Sequence, residues 1–368
     1  MKKKINREKG ITLIALVITI IILLILAGIS ISALTNQGLF KNAKIAQNAT
    51  EKAEAEQGKT LNEYEDEINK YLPAEKLVDK VNDGTIKIGD YVKYTPDTAS
   101  TTEILQELNT YSGSDKNTTS TLTQESLNWR VLDIKDGQVR LISELPTTSK
   151  ITLNGYNGYN NVVKLLDDTC NTLYTNKQLA SKVQNIKIED IQDKMVETDY
   201  SKFTSNYGKT FTLTTKYYPN ILIKEKEQKV NGTAGTELGL SEQTELINQT
   251  TKPQATSLEV KNTHWDKDMT ANDFKDSKYY ELFINNGSNY SPYWMSSRCV
   301  DAISNRADFF VRLVNYGYVY AYDLYISGDD EYSAGYAFRP VITLNSNVQI
   351  DTANSGNGST ANDGYAIK

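Results

Sequence analysis

Residues 11–34 read ITLIALVITIIILLILAGISISAL, and this stretch decides the predicted architecture of the chain. None of its side chains is charged, and only a few of them carry a hydroxyl group. About 20 apolar residues, each adding about 1.5 Å of helix, cross the hydrocarbon core of a bilayer. A core helix of a soluble domain alternates apolar and polar faces, whereas this one is apolar all round. The stretch therefore predicts a transmembrane helix that binds the membrane through residues 11–34.

The ten residues before this stretch are basic. They read MKKKINREKG, with five Lys or Arg side chains and one acidic side chain, Glu8. Because Lys and Arg accumulate on the cytoplasmic side of a membrane, this flank places the N-terminus inside and the remaining chain outside. A secretory signal has a shorter apolar region that ends at a small-residue cleavage site. The two segments together predict a single-pass protein of the cell membrane with an external head.

The junction between the two segments has a pattern of its own. Gly10 ends the basic leader, and Ile11, Thr12 and two further apolar residues follow at once. This junction resembles the prepilin-type signal of type IV pilins and of type II secretion pseudopilins. The resemblance implies cleavage after Gly10 by a prepilin peptidase and methylation of the new N-terminal residue, Ile11. It also implies that residues 11–34 form a filament core with other pilin-like subunits and their assembly machinery.

The fifth position after the cleavage site differs from the family pattern. Pilins usually carry Glu there, and this chain has Ala15. In the family that carboxylate pairs with the terminal amine of a neighbouring subunit, because a charge in an apolar layer is costly unless it is paired. Thr12 and Ala15 are thus the assembly positions that the resemblance assigns. With Ala15 the resemblance implies a minor or tip subunit, or a membrane-anchored, adhesin-like surface protein that does not polymerise.

A polar segment follows the apolar one. Residues 35–73 are rich in Ala, Glu and Lys, and Leu61, Tyr64 and Ile68 recur on one helical face before Pro73. This pattern predicts an amphipathic stalk helix over 35–73. A solvated stalk without packing partners is the alternative.

The residue composition of the chain changes from about residue 76. Short segments rich in Val, Ile, Thr and Tyr alternate with Gly, Asn and Asp, as at the predicted hairpin turn Asp136-Gly137. Strands and helices mix without βαβ alternation, so the fold class predicted for the chain is α+β: a long N-terminal transmembrane and stalk helix, then a mixed head over 76–350. Residues 97–124 and 225–258 are polar and predicted to be insertion loops, and 351–368 form a Gly/Ser/Asn-rich tail.

Three stretches of the head carry a second resemblance. LNWRVLDIKDGQVRLISE at 127–144, YWMSSRCV at 293–300 and AFRPVITLNSNV at 337–348 resemble an uncharacterised domain common in surface and secreted proteins of Gram-positive bacteria. The resemblance implies a C-type-lectin-like, or sulfatase-modifying-factor-like, fold. It implies no activity, because the calcium and sugar motifs of true C-type lectins are not visible in this sequence.

Composition excludes several classes of function. The 368 residues include 40 Lys and Arg against 46 Asp and Glu, a net charge of −6, whereas nucleic-acid-binding proteins usually present a basic face. Two cysteines and one histidine, His264, are too few for a zinc site. No motif pairs His264 with a nucleophile, so an exposed or capping role is predicted. We therefore predict no enzyme activity, no metal, no cofactor and no nucleic-acid partner.

Tyrosine is the unusual component, with 24 Tyr against 8 Phe and 3 Trp. Tyr316, Tyr318, Tyr320 and Tyr322 alternate in one stretch, and alternation places side chains on one face of a strand. Such rings stack on sugars or proteins and offer a hydroxyl at the rim, so we predict a face for a glycan or protein ligand. The alternative is a tyrosine-rich wall packed against a loop.

Two further predictions concern cysteines and acids of the head. Cys170 and Cys299 would both lie in an oxidising compartment, where they are candidates for a disulfide; two separately buried thiols are the alternative. Asp323, Asp329, Asp330 and Glu331 surround Gly328 in a predicted loop. Oxygen-rich loops can hold calcium, but this one has no EF-hand spacing, so solvated acids are the simpler interpretation.

Overall fold

The computed structural model describes residues 19, 49–50, 52–53, 57, 75–118, 122–284 and 292–368. The chain divides into two units, Met1–Leu61 and Asn62–Lys368. In the first unit the six described residues are helical. The second unit, described from residue 75 onward, contains the elements that follow.

The predicted fold class is wrong, because the structure is β-rich. Strand accounts for 33% of it and helix for 23%. In the described part of the chain, no helix is both long and apolar enough to cross a membrane. This finding contradicts the predicted transmembrane helix and the predicted single-pass location in the cell membrane. Most residues of the predicted spans 11–34 and 35–73 lie outside the described residues.

Five α-helices occur among the described residues of the second unit. They are α1 (Leu77–Asn82), α2 (Thr102–Tyr111), α3 (Gly155–Tyr174), α4 (Ile188–Gln192) and α5 (Ser277–Phe283). The strands in the first half of the unit are β1 (Tyr91–Lys93), β2 (Trp129–Lys135), β3 (Gln138–Ser143), β4 (Ile151–Asn154), β5 (Ala180–Asn185), β6 (Thr210–Leu213), β7 (Lys216–Tyr217), β8 (Lys229–Val230) and β9 (Thr233–Ala234). Those in the second half are β10 (Gln254–Ala255), β11 (Leu258–Lys261), β12 (Lys267–Asp268), β13 (Tyr293–Ile303), β14 (Arg306–Asn315), β15 (Tyr318–Ile326), β16 (Ser333–Tyr336), β17 (Pro340–Leu344) and β18 (Tyr365–Ala366).

The larger sheet pairs strands from the beginning and from the end of the second unit's described residues. Its strand order is β18-β1-β2-β3-β17-β5, and all neighbours are antiparallel except β1 and β18, which run parallel. The β2–β3 turn has positive φ at Asp136 (52°) and Gly137 (78°), the combination that a two-residue hairpin turn requires. The predicted hairpin at Asp136-Gly137 is therefore confirmed.

A second, antiparallel sheet has the strand order β12-β15-β14-β13. Its long strands β14 and β15 are joined at Tyr316 (φ 44°) and Gly317 (φ 93°), a turn of the same kind. A register shift between Phe309 and Phe310 of β14 interrupts the pairing with β15. Because a bulge alters the face that side chains present, the alternation along β15 changes after Tyr322, and Leu324 and Tyr325 are both buried.

Helix α3 is the main helical contribution to the core. More than half of its residues are buried, and it packs on β5 of the first sheet and on β13, β14 and β15 of the second. A helix buried on most of its circumference lies between layers rather than on a surface. Leu165, Leu166 and Leu173 of α3 share one apolar cluster with Trp129 of β2 and Trp294 of β13.

Both predicted insertion loops contain regular structure. Residues 97–124 include α2, whose Ile104 and Leu108 are buried in the main cluster. Residues 225–258 include β8, β9 and β10, and Leu238 of this segment lies in the core cluster that contains Tyr159 of α3. Sparse apolar residues at the right spacing are enough to fix a polar segment against a larger core, so these loop predictions are corrected.

Candidate functional site

A row of tyrosines lies at the β14–β15 turn. Tyr318, Tyr320 and Tyr322 alternate along β15 and share one face of the sheet. Tyr316 precedes them in the turn rather than in the strand, and Tyr336 joins them from β16. We call these five residues the tyrosine surface. Tyr316, Tyr318 and Tyr320 are 74%, 44% and 39% exposed, so three aromatic rings face the solvent.

A buried tryptophan supports the inner half of this surface. The ring of Trp294 lies 4.7 Å from that of Tyr336 and 6.2 Å from that of Tyr322, in edge-to-face contact with each. Tyr322 and Tyr336 are themselves 6.1 Å apart. Trp294 is fixed in turn, because its Nε1 donates a hydrogen bond of 2.9 Å to the carbonyl of Ile151. Edge-to-face packing and a satisfied indole hold the inner rings in one arrangement.

A groove of about 490 Å³ lies beside the tyrosine surface. Tyr316 and Tyr336 form part of its wall. Its other lining residues are mainly small or polar: Thr147, Thr148, Lys150, Pro292, Asn315, Gly335 and Ala337. The groove thus combines ring faces with hydroxyl, amide and ammonium groups, which suits a ligand that is apolar on one side and polar at its edges.

The hydroxyls of Tyr320 and Tyr336 remain protonated at neutral pH. Burial raises the pKa of Tyr320 above its ordinary value, and the charges of Asp266 and Asp323 act in the same direction. Burial also raises the pKa of Tyr336, with Tyr322 next in effect. A protonated phenol both donates and accepts hydrogen bonds, so these groups can match the hydroxyls of a ligand.

The other predicted site residues either lie outside the described residues or are engaged in contacts of their own. Gly10, Ile11, Thr12 and Ala15 lie outside the described residues. Of the predicted acidic loop, Asp329 and Glu331 bind Lys252 at 3.0 and 2.9 Å. In the described residues, no group of three His, Cys, Asp or Glu side chains is arranged to hold a metal ion.

The predicted disulfide is not formed. Cys170 of α3 and Cys299 of β13 are both free and buried. Cys170 Sγ lies 3.9 Å from Asn185 Oδ1, a contact within the core. Burial raises the pKa of the Cys170 thiol well above its ordinary value and that of Cys299 to about 12. Both thiols are therefore protonated and unreactive, as in the alternative of two separately buried groups.

His264 is buried rather than exposed. It is 8% exposed, and its Nε2 lies 2.9 Å from Asp266 Oδ1 while its Nδ1 lies 3.8 Å from Asp301 Oδ2. Its ring contacts Phe310 edge to face at 4.9 Å. The predicted exposed or capping role is thus corrected, because packing against β14 covers the imidazole.

Sequence reasoning missed a set of buried arginines. Arg140, Arg298, Arg312 and Arg339 are all at most 4% exposed. Each lies within a strand, or just before one, and apolar residues adjoin all of them except Arg298, which lies between Ser297 and Cys299. That position is the signal that could have found them, since a charge among core residues must be paired or bonded.

No family model, curated protein or solved structure matches the chain. The two resemblances described above, to pilin-like proteins and to a Gram-positive surface domain, thus remain predictions from the sequence. The role of the tyrosine surface has to follow from its geometry.

Proposed function

We propose that residues 75–368 form a carbohydrate-binding head that holds a glycan against the tyrosine surface. The observation that carries this proposal is the row of three exposed rings, Tyr316, Tyr318 and Tyr320, beside an open groove. Residues on a packed sheet keep their positions, so little conformational entropy is lost when a ligand binds. The proposed function is binding rather than catalysis.

The chemistry of the surface matches that of a sugar. A pyranose ring presents a flat face of C–H bonds that packs on the electron-rich face of an aromatic ring. Its hydroxyl groups need donors and acceptors at the edge, and Thr148, Lys150 and Asn315 supply them around the groove. Few aliphatic side chains line the groove, whereas a protein anchor usually needs a well-packed apolar pocket. These features favour a glycan over a protein as ligand.

The described residues around the groove give no support for catalysis. None of those that line it is a carboxylate, a cysteine or a histidine. The buried thiols of Cys170 and Cys299 are held protonated, and His264 lies between two aspartates outside the groove. We therefore keep a non-enzymatic role as part of the proposal.

Replacing Tyr318 and Tyr320 together by Ser should weaken glycan binding about tenfold or more, because two stacking rings are lost. Retention of the full chain on immobilised polysaccharides in affinity electrophoresis measures this effect. Tyr332→Ser is the matched control: Tyr332 is 42% exposed but lies beyond the other end of β15, outside the tyrosine surface. Undiminished binding by the double variant, or an equal loss with Tyr332→Ser, would refute the proposal, and binding to matrix proteins alone would favour a protein ligand.

A structural subunit of a pilin-like or pseudopilin-like assembly is a second candidate function. It is favoured by the basic leader that ends in Gly10 and by the apolar run that begins at Ile11. In this proposal a prepilin peptidase and other pilin-like subunits are partners, and the glycan-binding head is what the subunit displays.

N-terminal sequencing of the chain from its native cells tests this second candidate. We expect the mature chain to begin at Ile11, with a methylated amine, and Gly10→Val to leave only the unprocessed form. A mature chain that still begins at Met1 would contradict the pilin-like interpretation without affecting the glycan proposal.

A further inference from the structure

A second cavity, of about 280 Å³, lies beside the edge strand β13, and two buried arginines are part of its wall. Arg298 of β13 is 1% exposed and Arg312 of β14 is 2% exposed. The remaining wall comes from α4, from segments 225–228 and 238–240, and from single residues between them. This cavity shares no lining residue with the groove at the tyrosine surface.

The charge of Arg312 is not neutralised by an acid. Its Nη2 donates to the carbonyl of Thr263 at 2.7 Å and its Nη1 to the carbonyl of Trp265. The guanidinium carbon lies 5.0 Å from the centroid of the Trp265 ring. Among the residues described, no carboxylate lies within 4.0 Å of Arg312 nitrogens. Carbonyl dipoles and a ring face stabilise a cation, but they leave its full charge in place.

Arg298 forms an ion pair, but not all of its hydrogen-bond donors have an acceptor. Its Nε donates to Glu225 Oε1 at 2.8 Å, and its Nη2 donates to the carbonyls of Gly239 and Glu242 at 3.2 and 3.0 Å. Its Nη1 is buried and has no hydrogen-bond partner in the described part of the chain. A buried donor without an acceptor costs about 1–3 kcal/mol, and more when it is charged.

Arg339 shows that this fold can satisfy a buried arginine completely. Its Nε and Nη2 donate to the carbonyl of Ser143, its Nη2 also to that of Glu144, and its Nη1 to that of Phe283. All three nitrogens of that guanidinium are thus bonded within the protein. Arg298 and Arg312 instead both line the cavity, Arg298 with an unused donor and Arg312 with a charge that no carboxylate of the described residues neutralises, which points to an acceptor from outside the chain.

We propose that this cavity binds a small oxyanion, a carboxylate, sulfate or phosphate group, through the arginines that line it, Arg298 and Arg312. The planar guanidinium fork matches the two oxygens that such a group presents. A cavity of about 280 Å³ has room for the anion and several waters, since a water occupies about 30 Å³. This site is separate from the proposed glycan site, and neither depends on the other.

The other charges of the wall set the size of the anion. Lys226 is exposed at the rim and adds attraction. Glu227 is paired with Lys261 at 3.0 Å, and Glu189 is exposed at the rim, where its charge opposes a bulky polyanion. The cavity is therefore suited to a single small group rather than to a nucleic acid or another extended polyanion.

Isothermal titration calorimetry of the full chain with sodium sulfate, sodium phosphate or sodium acetate tests this proposal, with ionic strength held constant by sodium chloride. We expect saturable 1:1 binding of at least one of the three anions. Arg312→Gln should weaken it by about tenfold or more, because a charge-assisted hydrogen bond is lost. Acetate binding would identify a carboxylate as the natural group, and binding of sulfate or phosphate alone a tetrahedral oxyanion.

Two further variants keep the test decisive. Lys226→Glu changes an exposed residue, should leave the fold intact, and should weaken binding at least threefold by reversing a charge at the rim. Lys209→Gln, at another exposed position, is the control for a general loss of charge and should bind as the wild type does. Absence of saturable binding for all three anions would overturn the proposal, as would unchanged affinity in Lys226→Glu or in a folded Arg312→Gln.

Discussion

Replacing Arg140 by Met should lower the free energy of unfolding by about 3–5 kcal/mol, because the substitution leaves two buried carboxylates without their shared partner. Arg140 of β3 binds Asp133 Oδ2 at 2.7 Å and Asp190 Oδ1 at 2.5 Å, and all three side chains are almost fully buried. Lys194 also reaches Asp133, at 2.6 Å, but among the described residues it forms no ion pair with Asp190. Urea unfolding of the full chain measures the difference.

Two comparisons separate the loss of the charge from the loss of packing. Lys135→Met removes an exposed pair, Lys135 with Asp193 at 3.8 Å, from the adjoining strand β2 and should cost less than about 1 kcal/mol. Adding Asp133→Asn and Asp190→Asn to Arg140→Met should restore part of the stability, because neither buried carboxylate charge then remains. If the triple variant is less stable than Arg140→Met alone, the interpretation through unpaired charge is wrong.

Asp323 should make the fold less stable as the pH rises. Burial, with the charge of Asp308 next in effect, raises the pKa of the Asp323 carboxyl from 3.8 to about 7. The folded state therefore binds a proton that the unfolded state has released. This contribution is complete below about pH 4 and is lost as the pH rises towards and through 7. The groups that face the carboxyl include Asp301 and Arg306, and Arg306 only partly offsets the acids.

Asp323→Asn should remove this dependence, because an amide reproduces the neutral acid. We expect the variant to exceed the wild type by about 2–4 kcal/mol at pH 8, part of the effect being screened at an incompletely buried group, and to match it near pH 4. Thermal or urea unfolding across that range measures the difference. Asp330→Asn, at an exposed position beyond the end of β15, is the control and should follow the wild type at every pH. A gap that stays constant between pH 4 and pH 8 would exclude titration of Asp323 as its cause.

Local patterns in the sequence predicted part of the site. The alternation of Tyr318, Tyr320 and Tyr322 indicated one strand face, and the structure places these side chains together. Tyr316 was not correctly placed, because a Tyr-Gly turn with positive φ looks like a continuation of the alternation. The partners Tyr336 and Trp294 could not be predicted, because strand pairing brings them from distant positions.

Other features depend on contacts that no local pattern encodes. Whether Cys170 and Cys299 pair is a matter of three-dimensional distance, and the cysteines occupy separate elements, α3 and β13. Most of the buried arginines adjoin apolar residues, but their acceptors are mostly backbone carbonyls of remote segments, such as Ser143 for Arg339. The fold class was wrong because the strongest signal, residues 11–34, was taken to govern a chain whose structure contains more strand than helix.

The strand order of the larger sheet has a consequence for synthesis. Its strand β1 lies between β2 and the edge strand β18, and β17 lies between β3 and β5. A nascent chain that ends before residue 340 can form the hairpin of β2 and β3 but not the sheet around it. Strands that are far apart in the sequence pair slowly, because the chain entropy of closing a long loop is lost before any contact between the strands stabilises the pair. We therefore expect this sheet to be completed only after Tyr365 and Ala366 of β18 have been synthesised, and a chain that terminates before residue 340 to remain open to proteases.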